Sequence, residues 1–164
     1  MTERRVTVRG IIFKDGKILA QQLKPKAGEG ERNYWCTPGG GLEANESLHQ
    51  GLHREMIEET GIAPTIGKLL FIQQYKDHQK EYLEFFFLIE NADNYHTIDL
   101  AATSHGELEI KHVDFIDPSA HTILPVFLQT IDIASYAYSD VPVLIRDNIK
   151  EEKILRSDSN RCKE

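Results

Sequence analysis

The sequence predicts a mixed α/β domain of the α+β kind, an α/β/α sandwich with a mixed sheet between helices. Three observations lead there. Alternating and β-branched stretches recur along the first 116 residues, one strongly amphipathic helix interrupts them, and a second helical stretch follows. Each such element carries an apolar face that it cannot bury alone, and stacking into layers resolves this. The length of 164 residues suits one domain, and a 40% hydrophobic content can fill its core. Residues 1–155 are assigned to that domain and 156–164 to a loose tail.

The elements follow in order. Val6 to Phe13 alternates like a strand, and Asp15-Gly16 is a hairpin turn signal into Ile18–Leu23. Lys24 to Arg32, with Pro25 and two glycines, reads as a polar loop. Asn33–Thr37 is a short strand that ends in a loop, Pro38-Gly39-Gly40-Gly41. Ser47 to Thr60 is the one strong helix: Ser47 and Gln50 have capping-box spacing, and Gly61 is a natural stop. Ile66–Tyr75 and Tyr82–Glu90 form a second hairpin about a charged turn, and Glu109–Ile116 is a further strand. Ala120–Ile131 is expected as a second helix with Pro125 early in it, and Val143–Leu155 as a third.

Composition narrows the function classes. The net charge of −7 repels nucleic acid and phosphates alike, so a phosphorylated substrate needs a local cation and nucleic acid is not an expected partner. Cys36 and Cys162 lie far apart and form neither a disulfide framework nor a metal knuckle, which fits a reducing compartment. Met1 to Arg5 is charged, with no apolar signal core behind it, and no run approaches the ~20 apolar residues that span a bilayer. A cytoplasmic protein without membrane attachment is expected.

On the Ser47–Thr60 helix, at about 100° per residue, Leu48, Leu52 and Met56 make an apolar stripe. Glu55, Glu58 and Glu59 crowd the adjoining arc. Like charges at this spacing cost ~0.2–0.5 kcal/mol per pair, and anions near a helix C-terminus cost a further ~0.3–1 kcal/mol. A bound hard cation reverses both signs, because Mg²⁺ takes carboxylate oxygens. The plainer reading is a solvated acidic face on which Arg54 offsets Glu58, and the helix alone does not decide. Its surroundings add weight: Gly39, Gly40 and Gly41 stand just before it, and such a segment is either an ordinary tight turn or one that lets backbone N–H groups approach phosphate oxygens.

Gly40, Glu46, Arg54, Glu55, Met56, Glu58, Glu59, Gly61 and Ile62 together resemble the Nudix box, with every fixed position filled and Pro38-Gly39 ahead of it. The resemblance implies an α/β/α sandwich in which the box is loop–helix–loop. It also implies hydrolysis of a diphosphate linkage in a nucleoside diphosphate derivative, with Mg²⁺ as cofactor and Mn²⁺ as a substitute. By similarity, Glu55 and Glu59 are the leading metal ligands, Glu58 is a further ligand or the base, and Arg54 orients a box glutamate. Glu46 supports Arg54, and Gly40 permits a close turn. Some members of the family take their base from outside the box, and Glu107 and Glu109 are either similar to that acid in position or exposed charges in a polar loop. Phosphoryl substitution needs neutralised oxygens, a positioned water and a proton acceptor, which metal and carboxylates supply together.

Other signals weigh less. His49 and His53 have zinc-pair spacing, but Gln50 stands where a zinc protease needs glutamate, and both point away from the carboxylates. Lys24, Lys26 and Arg32 suit a solvated loop or a phosphate-contacting lid, and Arg9 could reach a substrate phosphate. Tyr34, Trp35 and Tyr75 suit packing or base stacking, and Phe85–Phe87 suits a buried strand. No nucleophile elbow, P-loop or dinucleotide fingerprint is present. Two rivals stand beside the hydrolase: a binding module without turnover, and a diphosphate isomerase using Cys36. A nucleoside triphosphate or modified nucleotide is favoured as substrate by elimination, over ADP-ribose or a nucleotide sugar, and a homodimer is expected from the family's habit.

Overall fold

The computed structural model describes residues 2–149. Two mixed five-stranded sheets, where one was expected, are joined by a strand that changes sheet at Ile12. The strand expected at Val6–Phe13 is thus two. β1 (Glu3–Ile11) lies in the first sheet, and β2 (Phe13–Lys14) opens the second. Asp15 and Gly16 both have positive φ, the backbone twist that a two-residue hairpin favours, and they return the chain into β3 (Lys17–Leu23).

The first sheet has the order β10-β6-β7-β1-β5, with β5 at Gly39–Gly41, β6 at Ile66–Lys76, β7 at Lys80–Ile89 and β10 at Leu144–Asp147. β1 runs parallel to β7 and antiparallel to β5, with Val8 opposite Gly40. The β6–β7 turn is fixed by Asp77, whose carboxylate accepts from the N–H groups of Gln79 (2.7 Å) and Lys80 (2.8 Å). In the second sheet, β3 carries β8 (Ile110–Ile116) along one edge. Along the other it carries β2 and β4 (Trp35–Cys36), and β9 (Ile123–Leu124) runs parallel to β4.

The helices cover opposite sides. α1 (Leu48–Thr60) begins with the expected capping box: Gln50 N–H donates to Ser47 Oγ at 3.2 Å, and Ser47 N–H to Gln50 Oε1 at 2.9 Å. It ends where left-handed Gly61 donates to Ile57 O at 2.8 Å. Its apolar stripe, Leu52 and Met56, packs on Val8, Leu19, Phe87 and Ile89, each such fully buried side chain being worth roughly 1.5–3 kcal/mol. On the far side, Leu128 and α3 (Ile133–Tyr138) pack on Ile11, Phe71 and Phe86. The sandwich was therefore legible.

Three expectations are corrected. The helix expected over Ala120–Ile131 is β9 followed by a 3-10 turn, Val126–Gln129. Proline restricts the residue before it to extended backbone, so Leu124 adds to a strand. Beyond the short α2 (Gly106–Glu109), the next α-helical piece is α3, capped where the Asp132 carboxylate accepts from Ser135 N–H at 3.3 Å. The helix expected over Val143–Leu155 starts instead as β10, which pairs parallel to the side of β6 that β7 leaves open; residues 150–164, including the expected tail, lie outside the described residues. Finally, the glycine triplet is an edge strand rather than a loop.

Candidate active site

The site is built where α1 crosses the edge strand β5. Gly10 N–H donates to Pro38 O and Leu42 N–H to Val6 O, so those groups close the ladder to β1. Gly39 and Gly41 turn the other way: Gly39 N–H donates to Glu59 Oε2 at 2.9 Å, and Gly41 O accepts from Arg54 Nη2 at 3.0 Å. Glycine is required twice over. Gly39 has φ +132, and a Cβ there would lie 2.1 Å from Val8 O; at Gly40 a Cβ would lie 2.6 Å from both carboxylate oxygens of Glu55. The Glu55 carboxylate occupies the space where any side chain on residue 40 would be.

Arg54 is the hub. Its Nε and Nη2 donate to the two oxygens of Glu46 at 2.6 and 2.9 Å, and its Nη1 donates to Glu55 Oε1 at 2.9 Å and Glu58 Oε2 at 3.1 Å. The paired geometry on Glu46 is the bidentate fork that arginine alone provides. Arg54 beside it, and then the Glu43 N–H, hold the Glu46 carboxyl down at about 2. The contact with Glu46 likewise raises the Arg54 pKa further above its already high value.

The Glu46 shift has a stability consequence. Its ordinary value is 4.5 and its folded value about 2, so the stabilisation is full above pH 4.5 and is lost as pH falls through about 2. We expect the gap in melting temperature between the wild-type protein and Glu46→Gln to narrow steadily from pH 5 to pH 3. A constant gap across that range would mean that Glu46 does not titrate as its contacts require.

Glu59 is 0% exposed and Glu55 8%. Besides Gly39 N–H, Glu59 Oε2 accepts from Gln21 Nε2 at 3.3 Å, with Gln21 itself fully buried on β3. Four carboxylates and one guanidinium leave the cluster at formal charge −3 (−4 + 1). Among the described residues no three carboxylates converge on one point, because Arg54 stands between Glu46, Glu55 and Glu58 while Glu59 turns to Gly39. As donors, these hard oxygens against a side-chain-free strand suit a divalent cation.

Two contributors had no spacing signal in the sequence. Gln21 was visible only as a polar residue in a strand that otherwise reads as buried. His105 lies at the start of α2 (Gly106–Glu109), its Nδ1 3.4 Å from Glu58 Oε2 and its N–H donating to Glu58 O at 3.0 Å. Glu107 and Glu109 are exposed on α2, and the backbone oxygens of both accept from Lys24. Arg9 is 2% exposed; its guanidinium donates to Glu84 Oε1 at 3.3 Å and to Gly39 O at 3.0 Å. Thr7 and Gln73 complete the buried Glu84 carboxylate. His49 is exposed against Phe87, and His53 is exposed as well. Arg32 is paired with Glu29 at 2.6 Å, and Tyr75 stacks on Tyr82 with centroids 4.7 Å apart. Cys36 is fully buried with Leu23, Ile110 and Leu124, where it acts as a small apolar side chain.

A carboxylate helix clamped by one arginine to a glycine edge strand is a specific arrangement, and the family model for the NUDIX domain matches residues 3–129. The chain belongs to the Nudix hydrolase family. Among curated Nudix relatives it is 32% identical over 121 residues to the uncharacterized Nudix hydrolase YvcI of Bacillus subtilis, 71% of each chain. It is also similar to the CTP pyrophosphohydrolase of Escherichia coli (40% over 74 residues, 45% of this chain and 50% of that one). The ADP-ribose pyrophosphatase of Methanocaldococcus jannaschii is 38% identical over 72 residues, 44% and 41% of the two chains. The chain thus spans half or less of the last two. The Nudix fold recurs in the solution structure of the Escherichia coli ORF135 protein, at TM-score 0.65 and 23% identity, covering 86% of this chain and 96% of that one. Nudix enzymes generally use divalent metals, and the carboxylate set described here accords with that. Among the described residues no helix is long and apolar enough to cross a membrane.

Proposed function

We propose that this Nudix protein is a Mg²⁺-dependent pyrophosphohydrolase that cleaves a diphosphate linkage in a nucleoside diphosphate derivative. The reading rests on one observation: all the box carboxylates are present beside β5, with Glu46, Glu55 and Glu58 held by Arg54, which also donates to Gly41 O, and Glu59 accepting from Gly39 N–H. Glu55, Glu58 and Glu59 are the residues that would hold Mg²⁺, or Mn²⁺ in its place. The bound ion would supply Lewis acidity and neutralise diphosphate charge. Arg54 and Glu46 fix the directions of the carboxylates. Glu58 is the more exposed of the three and is aimed by Arg54 and His105, which suits it to accept a proton from the attacking water. Glu107 and Glu109, on the same short helix as the His105 contact, are the other candidates for that proton.

A nucleoside triphosphate or modified nucleotide is the favoured substrate, in keeping with the similarity to the CTP pyrophosphohydrolase. ADP-ribose and nucleotide sugars are the alternative, in keeping with the ADP-ribose pyrophosphatase. A cytoplasmic protein acting as a single domain, as a homodimer, completes the reading. The test is product release from nucleoside triphosphates, dinucleoside polyphosphates, ADP-ribose and nucleotide sugars, with Mg²⁺ and with EDTA. We expect cleavage of one class, abolished by EDTA. A folded, metal-loaded protein that binds a nucleotide without cleaving any would favour the non-catalytic module instead.

A further inference from the structure

Three arginines lie on β1, and two are matched. Arg4 pairs with Glu81 at 2.8 Å, and Arg9 is held by Glu84 and the Gly39 carbonyl. Arg5 differs. Among the described residues its guanidinium has no hydrogen bond or ion pair, and its Nε is buried without an acceptor. A half-buried cation with no anion is unfavourable, and in a chain of net charge −7 a partner would be easy to supply from within.

The position of Arg5 bears on which anion would match it. A Cβ built on Gly41 would meet Arg5 Nη2, Nε and Cζ at 2.5, 2.8 and 2.9 Å. The guanidinium therefore lies broadside over Gly41, whose carbonyl accepts from Arg54 Nη2. The pleat of β5 sends successive Cβ directions to opposite faces. Gly40 looks onto the Glu55 carboxylate, and Gly41 looks onto Arg5. The edge strand is thus flanked by the carboxylate cluster on one face and, on the other, by a guanidinium unmatched among the described residues. It carries no side chain of its own to keep a ligand off.

We propose that Arg5 is a substrate-binding residue. It holds nonbridging oxygens of the substrate's diphosphate on the face of β5 opposite the glutamates, so that the diphosphate straddles the edge strand. Guanidinium matches phosphate oxygens in a two-pronged fashion, which a lysine ammonium does not. The inference rests on the pyrophosphohydrolase reading, because it needs a diphosphate at the glutamates.

The test uses methylenediphosphonate, a diphosphate that cannot be hydrolysed, titrated calorimetrically into the Mg²⁺-loaded full chain. Arg5→Gln is expected to weaken binding by about 10- to 100-fold, the usual range for a charge-assisted hydrogen bond. Arg5→Lys should recover part of the loss, and Arg4→Gln, on the same strand, should bind within about twofold of wild type. With the cleaved substrate class, Arg5→Gln should raise KM while kcat changes by less than about threefold. Wild-type affinity in Arg5→Gln would overturn the inference and leave the hydrolase reading standing. If Arg5→Lys is no better than Arg5→Gln and both melt early, Arg5 is a brace for β5 and the inference falls. Failure of the wild-type protein to bind the probe with Mg²⁺, together with no turnover, would remove both readings.

Discussion

Glu59→Gln is expected to lower metal-dependent turnover by about 10³-fold, the equivalent of about 4 kcal/mol of lost Lewis-acid stabilisation. The fold should survive the change. Glu59 is fully buried, and its Oε2 accepts from Gly39 N–H and Gln21 Nε2, contacts that a glutamine carbonyl can keep. What glutamine cannot keep is the charge that, on the proposed reading, holds a divalent ion. The two readouts therefore separate: circular dichroism melting should stay close to wild type while calorimetric Mg²⁺ affinity and turnover both fall. Glu107→Gln separates the two roles: it should keep wild-type Mg²⁺ affinity, and it loses turnover only if Glu107 accepts the proton. Full turnover of Glu59→Gln at saturating Mg²⁺ would remove Glu59 from the ligand set.

The second large effect divides two adjacent glycines. Gly39→Ala places a Cβ 2.1 Å from Val8 O and 2.9 Å from Arg9 Cα, both backbone atoms, at φ +132. Backbone cannot step aside, so the cost is about 3 kcal/mol or more, read as a lower urea midpoint. Gly40→Ala collides instead with the end of a side chain, the Glu55 carboxylate at 2.6 Å. That carboxylate can swing away, so this protein should remain folded. Having lost the placement of a ligand by about 1 Å, it should lose about 100-fold in turnover. Equal damage to stability at both positions would mean that Glu55 is not free to leave the β5 surface.

The box helix was legible because its signals are local. Capping spacing, the apolar stripe and the left-handed stop at Gly61 are set within α1 itself. The glutamates and Arg54 were legible through their fixed spacing in a family motif. The rest depended on partners far along the chain. Whether Gly39–Gly41 is loop or strand is decided by β1. Whether Leu144 starts a helix or a strand is decided by Phe71 opposite it on β6. His105 reaches Glu58 only because α2 docks on the end of α1, where a Cβ on Gly106 would lie 2.5 Å from Glu59 O. Nothing in the residues around His105 encodes that docking. The same holds for the buried Arg9–Glu84 pair: only the β1–β7 register, which sets Thr7 opposite Glu84, brings Arg9 two residues further on within reach of that carboxylate.

The three-glycine edge strand also bears on how such a site could change its substrate. A surface made only of main chain has no side chain with which to favour one leaving group over another, and its outward Gly39 N–H and Gly41 O are taken by Glu59 and Arg54. Substitutions that retune substrate choice therefore have to fall outside β5, on neighbours whose side chains can vary without moving the backbone. On the proposed reading, the diphosphate and the group attached to it would then be read by separate parts of the molecule, so one could be altered while the other is kept.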